Sequence, residues 1–270
     1  MLSDSDQPDD MREYSVVVPA AGLGARMQAE RRKPLLGIEG RPIILHTLAR
    51  LSAARGCTEI VLVVHPDDLR FFRRRWGGAL REEFGVRAIV PGGASRQESV
   101  RAGLEASDPD AKVVLVHDAV RPLVSLEVIE NVAARAAESG GAIAAVPAVA
   151  TIKEVDGDGR IVETPPRHNL WMAQTPQGFR REILVRAHDA ARERGMTGTD
   201  DAGLVEALGE DVYVVEDSPE NLKITTPEDT AVAEAILRWQ NKRDLPASRL
   251  SVPGPEIFPP YQSLDSGGLP

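Results

Sequence analysis

Gly22 and Gly24 stand directly behind an apolar, β-branched run, Tyr14–Pro19, and are followed by Arg26 and Lys33. Glycines after a strand let the chain turn tightly and bring backbone N–H groups close to an anion. Basic side chains on the same loop add charge to that cradle, so the chemistry it suits is phosphate binding. Two common versions do not fit. A dinucleotide fingerprint needs a third glycine where Met27 stands, and a P-loop needs Gly-Lys-Ser/Thr, which the chain lacks. A plain strand-to-helix turn with solvated basic residues is the alternative reading.

Four further segments combine loop glycines or polar residues with charge. Pro91-Gly92-Gly93-Ala94-Ser95-Arg96-Gln97-Glu98-Ser99 enters a helix, and Ser95 with Glu98 spells a capping box. His117-Asp118-Ala119-Val120-Arg121-Pro122 puts a carboxylate at a strand's carboxyl end, where hard cations are shared with phosphates. An ordinary Asp118–Arg121 salt bridge is the simpler reading. Thr199-Asp200-Asp201 has the form of a helix N-cap, and Asn221-Leu222-Lys223-Ile224-Thr225 presents one lysine among short residues. Arg167, Trp171 and Thr175 complete the set, whereas the five histidines show no metal-ligand spacing.

The chain has no Gly-x-Ser-x-Gly and no evident catalytic triad. Transfer to an acceptor that is itself a phosphate needs neither nucleophile nor base from the protein. A phosphate monoester's second pKa is ~6, so its oxygen is largely ionised at neutral pH. Such a reaction asks for cations and alignment, and Arg26, Lys33, Arg121, Arg167 and Lys223 are the cations on offer.

These loops need a scaffold. Strand patterns at Tyr14–Pro19, Glu59–His65, Arg87–Val90, Lys112–His117, Ala142–Pro147 and Asp211–Val215 alternate with helical ones at Ile43–Ala54, Ser95–Ala106, Leu126–Glu138, Arg181–Arg194 and Glu228–Gln240. That alternation predicts an α/β layered fold with a mostly parallel sheet, whose ligands sit beyond the strands' carboxyl ends. Thr151–Val155 and Arg160–Glu163 flank Asp156-Gly157-Asp158-Gly159, which predicts a projecting β-hairpin that needs something to rest on, plausibly another subunit.

The expected domain runs over residues 13–243, with the arm at about 148–172, between an acidic disordered start (1–12) and a Pro-rich disordered tail (244–270). The 270 residues carry 32 basic and 41 acidic side chains, net −9, which disfavours wrapping nucleic acid. There is no ~20-residue apolar run for a membrane span, no signal peptide pattern, and one cysteine, Cys57. A soluble cytoplasmic protein is the expectation.

Taken in order, Pro-Ala-Ala-Gly-Leu-Gly-Ala-Arg-Met with Lys33, Gly-Gly-Ala-Ser-Arg-Gln-Glu-Ser-Val, Val-His-Asp-Ala-Val-Arg-Pro, Thr-Pro-Gln, Thr-Asp-Asp and Asn-Leu-Lys-Ile-Thr resemble the 2-C-methyl-D-erythritol 4-phosphate cytidylyltransferase family over roughly Tyr14 to Trp239. The resemblance implies a three-layer, Rossmann-like nucleotidyltransferase fold of the glycosyltransferase-A type, a homodimer with interlocking β-hairpin arms, and Mg2+-dependent transfer from CTP. It implies that Ala20, Ala21 and Gly22 contact CTP, that Gly93 and Ser99 face the cytidine, and that Arg26 and Lys33 stabilise the transition state. Asp118 would sit near Mg2+. Thr151, Arg167, Thr199 and Asp200 would hold the methylerythritol phosphate, the first two from across the dimer, and Lys223 would position the attacking phosphate. Gly24, Ala119, Arg121 and Thr175 join the expected binding residues, Arg121 either as a phosphate contact or as a brace for Asp118.

Arg32 and Pro34 depart from the family, which more often has Pro before the lysine and Gln after it. The tail does not resemble a fused cyclodiphosphate synthase, so a monofunctional chain is expected. The rival readings are a cytidylyltransferase for another polyol phosphate such as ribitol 5-phosphate, a sugar-1-phosphate nucleotidyltransferase, and a non-catalytic nucleotide-binding module.

Overall fold

The first strand, β1 (Tyr14–Ala20), is almost wholly buried, with Val16 and Val18 facing one side of the sheet and Val17 the other. A strand covered on both faces reads as a continuous apolar run, as this one does. The computed structural model describes residues 13–22, 33–242 and 252–261. After β1 a short ribbon, β2 (Gly37–Ile38) and β3 (Arg41–Pro42), leads into α1 (Ile43–Ala53), β4 (Cys57–Val64) and α2 (Leu69–Phe71). A π-helical turn, Phe72–Trp76, carries α2 into α3 (Gly77–Phe84), followed by β5 (Val86–Pro91), α4 (Arg96–Ala106), β6 (Val113–Val116), α5 (Leu126–Ser139) and β7 (Gly141–Pro147). The arm strands β8 (Glu154–Val155) and β9 (Ile161–Glu163) precede β10 (Trp171–Arg180), α6 (Arg181–Glu193), α7 (Asp201–Glu206), β11 (Tyr213–Glu216) and α8 (Pro227–Lys242).

The sheet has seven strands in the order β11-β7-β10-β6-β1-β4-β5. Only β10 runs antiparallel to its neighbours, β6 and β7. One layer, with α1, α3 and α5, buries Leu45, Leu48, Trp76, Leu80 and Ile129 against Val16, Ile60 and Leu62. The opposite layer, with α4, α6 and α7, buries Val100, Leu104, Leu184 and Val205 against Val17, Val63 and Val114. Gly103 lets α4 lie close on the sheet, since a Cβ there would run into Val17 and come within 2.8 Å of Val63 Cγ2. The mostly parallel three-layer α/β fold expected from the sequence is therefore present.

The hairpin also forms, with Glu154 opposite Glu163 and Val155 opposite Ile161. Asp156 organises its turn by accepting from the Asp158 and Arg160 N–H groups at 3.1 and 3.0 Å. Two further elements besides the β2–β3 ribbon were not anticipated. Strand β10 is polar through Gln174, Thr175 and Gln177, yet buried there, and the α2–α3 segment carries Arg73, Arg74 and Arg75 among its apolar residues.

The expectation of a disordered tail is corrected over Val252–Tyr261. Phe258 is 3% exposed and stacks on Phe84, with ring centroids 5.7 Å apart. Trp76 Nε1 donates to the Pro259 carbonyl at 2.9 Å, and the Tyr261 hydroxyl donates to Asp68 at 2.6 Å. Prolines lower the entropy lost on ordering, and the aromatic rings supply apolar burial that composition alone does not reveal. The remaining tail residues and the acidic start, 1–12, lie outside the described residues. Among the described residues no helix is long and apolar enough to cross a membrane.

Two stability predictions follow from this packing. Phe258→Ala is expected to cost about 3 kcal/mol, read as a lower urea midpoint; an unchanged midpoint would show that the segment does not dock. His46, on α1, has Nε2 3.1 Å from the Ile38 carbonyl. Burial pushes its pKa down to about 4, against the pull of that carbonyl and helped by Arg50 and Arg41. The folded state thus holds His46 neutral while the unfolded chain takes a proton below its ordinary 6.5, so stability is lost as pH falls from 6.5 towards 4. Thermal melts of His46→Gln should fall less steeply with pH over that window than those of the parent.

Candidate active site

The loops leaving the carboxyl ends of β1, β5 and β6 converge on a cavity of about 470 Å3. Ala20, Ala21 and Gly22 form one wall, and Gly93, Ala94 and Ser95 form another. The walls meet because Gly92 has no side chain: a Cβ there would collide with Ala21 Cβ and lie 2.7 Å from Ser99 Oγ. Ser95 caps α4, accepting from the Glu98 N–H at 3.1 Å, while Glu98 accepts from the Ser95 N–H at 3.2 Å. The capping box and the cleft wall are therefore the same residues. Lys33 enters from a short 3-10 turn, its Nζ donating to the Thr225 carbonyl at 2.7 Å.

Asp118 forms the floor. It accepts from Arg96 Nε at 3.3 Å, pairs with Lys223 Nζ at 2.8 Å and has Arg121 Nε at 3.8 Å. Burial alone would raise its pKa, but Arg96, Lys223 and Arg121 outweigh burial and hold the carboxyl well below the usual carboxylate range. Arg121 is turned away from the cavity, donating from Nη1 to the Asn221 carbonyl at 2.6 Å. That places it as a brace for the Lys223 loop.

Strand β10 supports Asp118 from below. The Thr175 hydroxyl accepts from the Asp118 N–H at 3.0 Å and lies 3.2 Å from His117 Nδ1, and His117 Nε2 lies 3.1 Å from the Arg121 carbonyl. The Arg121 carbonyl calls for a proton on Nε2, and in the neutral ring Nδ1 then accepts from the Thr175 hydroxyl. Burial pushes the His117 pKa down to about 4, which agrees.

Ala20, Ala21, Gly22, Lys33, Gly93, Ser99, Asp118, Ala119 and Lys223 thus line one cleft. Gly24 and Arg26 lie outside the described residues. Thr175, expected to contact substrate, is 4% exposed and acts as an internal bridge instead. Asp200 caps α7, accepting from the Gly203 N–H at 2.9 Å and from Gln177 Nε2 at 2.8 Å, and Thr199 is an exposed neighbour. Neither lines the cavity. Thr151 and Arg167 sit on the arm, where Arg167 Nη1 donates to the Val149 carbonyl at 2.6 Å; the same chain's cleft does not include them. Sequence reasoning gave no role to Arg96, which lines the cleft, or to Asn221, which ties Thr175 to Asp217. Arg96 lay in the second glycine loop, and its charge was the available signal.

Among the described residues no group of three His, Cys, Asp or Glu side chains gathers to hold a metal. A single carboxylate facing the cavity would nevertheless suit Mg2+, which keeps several waters and takes its other oxygens from phosphates where these are bound. A larger cleft, about 640 Å3, opens at the amino end of β6. Its Arg180 and Arg181 are occupied by the carbonyls of Ala137, Glu138 and Leu104, so they terminate helices.

The family model described as IspD: 2-C-methyl-D-erythritol 4-phosphate cytidylyltransferase matches residues 14–239. A protein of that name from Pelotomaculum thermopropionicum is 44% identical over 236 residues, covering 86% of this chain and 98% of its own length. Another from Bacillus licheniformis is 42% identical over 234 residues, with the same coverages of 86% and 98%. Among solved structures, 4-diphosphocytidyl-2C-methyl-D-erythritol synthase from Anaerococcus prevotii superposes with a TM-score of 0.74 at 31% identity, covering 85% of this chain and 97% of its own. The Thermus thermophilus cytidylyltransferase gives 0.68 at 35%, covering 84% and 99%.

Glycine loops and a cation cluster at the carboxyl edge of a Rossmann-like sheet, in a chain whose relatives are cytidylyltransferases, place it among the nucleotidyltransferases. The chain belongs to the 2-C-methyl-D-erythritol 4-phosphate cytidylyltransferase family.

Because Gly92 holds two walls in contact, Gly92→Ala should lower turnover at least about tenfold, equivalent to ~1.4 kcal/mol, with the far-ultraviolet circular dichroism spectrum intact. Parental kinetics in that variant would show that the walls need not meet.

Proposed function

We propose that the chain transfers the cytidylyl group of CTP to 2-C-methyl-D-erythritol 4-phosphate, giving 4-diphosphocytidyl-2-C-methyl-D-erythritol and pyrophosphate. The observation that carries this reading is the cation cluster on Asp118, set in glycine-loop walls, in a chain whose relatives are named for that reaction. An oxygen of the acceptor phosphate attacks the α-phosphorus of CTP in line. The new P–O bond forms as the bond to the bridging oxygen of pyrophosphate breaks, with no covalent intermediate on the protein.

The acceptor phosphate is already largely ionised at neutral pH, so no general base is required. What the cleft contributes is charge and position. Backbone N–H groups of the Ala20–Gly22 wall face the triphosphate, and Lys33, tied to Thr225, offsets the charge that builds during transfer. Arg26 is given the same role by its place in the first loop. Lys223, fixed on Asp118, holds the attacking phosphate. Mg2+, when bound, would be held by Asp118 and phosphate oxygens and would supply further neutralisation of the triphosphate.

The arm supplies the reason for a homodimer. Val149 is 75% exposed, and Val155, Ile161, Val162, Trp171 and Met172 are also open to solvent. A run of exposed apolar residues on a two-stranded ribbon marks a surface that another protein covers. With a second copy against it, Thr151 and Arg167 would reach that copy's cleft and hold the acceptor there, with Thr199 and Asp200 at its rim. A cytoplasmic setting, where CTP is made, goes with this reading.

The test is pyrophosphate release with CTP, Mg2+ and a panel of polyol phosphates. 2-C-Methyl-D-erythritol 4-phosphate should give by far the highest kcat/KM, and a preference for ribitol 5-phosphate would overturn the acceptor assignment. Lys33→Ala should lower kcat by about a hundredfold, the usual loss for one preorganised donor, and change KM for CTP much less. Lys223→Ala should raise KM for the acceptor more than for CTP; equal KM values in variant and parent would remove it from acceptor binding.

A further inference from the structure

Behind the cleft wall lies a second carboxylate, Asp201, in the first turn of α7 and only 1% exposed. It accepts from Arg96 Nη1 at 2.7 Å, and its other oxygen faces His188 Nε2 at 3.2 Å. Arg96 in turn donates from Nε to Asp118, which holds Lys223. A continuous line of charge-assisted bonds therefore runs from α6 through α7 and α4 to the floor of the cleft. His188 is also 1% exposed, does not line the cavity, and leaves Nδ1 without a hydrogen-bond partner.

Apolar side chains of similar volume would fill this space without the cost of removing a carboxylate and a guanidinium from water. The worth of the arrangement is geometric. The Asp201 backbone is fixed by its N–H donating to Gln177 Oε1 at 3.1 Å, but among the described residues the rotation of its carboxylate is set by its two side-chain partners. Arg96 is a long side chain at a cavity edge, with 29% of its surface open. Anchored at Nη1, it presents Nε to Asp118; released, its guanidinium is free to leave Asp118 for solvent or for a bound phosphate. Burial works against its charge, while Asp201 and Asp118 favour that charge strongly enough to raise its pKa further.

We propose that His188 is a positioning residue for cytidylyl transfer: by holding Asp201 it aims Arg96 at Asp118 and so fixes the carboxylate on which Lys223 rests. This rests on the reading of the Asp118–Lys223 cluster as the place of reaction. What His188 supplies is an N–H donor at Nε2, present in the neutral as well as the protonated ring. Glutamine can provide a comparable donor; phenylalanine fills the space without one.

The experiment is a double-mutant cycle on the full chain, with steady-state cytidylyl transfer and urea denaturation measured for each variant. His188→Phe should lower kcat about tenfold with KM for CTP changed less than about twofold, whereas His188→Gln should stay within about threefold of the parent. In an Arg96→Gln background His188→Phe should cost nothing more, because its effect passes through Arg96. A loss that multiplies undiminished onto Arg96→Gln, or a His188→Gln variant as slow as His188→Phe, would overturn the proposal. If His188→Phe does not fold, His188→Leu, which also lacks the donor, takes its place in the same cycle, with the same two outcomes. Lys223→Ala serves as the separate control: parental turnover together with a parental KM for the acceptor would overturn the site reading itself, whatever the cycle shows.

Discussion

The neutralisation of Asp118 by cations from distant parts of the chain is the constraint on which the site depends. Arg96 comes from α4, Arg121 from the loop after β6, and Lys223 from the loop after β11. Without the carboxylate these cations would repel one another in a partly buried space; without the cations the carboxylate would be a costly unpaired charge. Together they form a charge-balanced floor, from which Arg96 and Lys223 line the cavity and Arg121 braces it from behind. The sheet order makes the assembly possible, since β6 lies between β1 and β10 and brings the glycine loop and the Thr175 support to either side of Asp118.

The antiparallel strand β10 is the other part of this design. Its polar residues Gln174, Thr175 and Gln177 are buried because each has partners in the loops above. Gln174 Nε2 donates to the Asn221 carbonyl at 3.1 Å, Thr175 joins Asp118 to His117, and Gln177 organises the start of α7 through the N–H groups of Asp201 and Ala202. Buried polar groups with satisfied hydrogen bonds rigidify their surroundings. Here they tie the sheet to the segments that carry Asp118, Asn221 and Asp201, although Gln174 Oε1 has no partner among the described residues.

Much of the scaffold was legible in the sequence because burial on both faces leaves an unmistakable apolar run, as at Tyr14–Ala20 and Val113–Val116. Asp118 was legible for the same reason, standing just past such a run, whereas in the second glycine loop the sequence singled out Gly93 and not Gly92, whose close contacts only the fold shows. Strand β10 was not, since Gln174 and Gln177 are strand residues by virtue of partners far away in the chain. The docked segment Val252–Tyr261 was hidden by its prolines, which mark a tail by composition while Phe258 and Tyr261 supply the docking surface. Asp201 read as one more acidic residue at a helix start, and its enclosure by His188 and Arg96 separates it from Asp200, which caps α7.

In the proposed reading the chemistry is one displacement, made directly by one bound anion on another. The stereochemical course at phosphorus tests that most directly. With CTP carrying a single sulfur of known configuration on the α-phosphorus, the product diphosphate should show inversion at that centre. Retention would mean two displacements through a nucleotidyl group held on the protein, and would contradict the account.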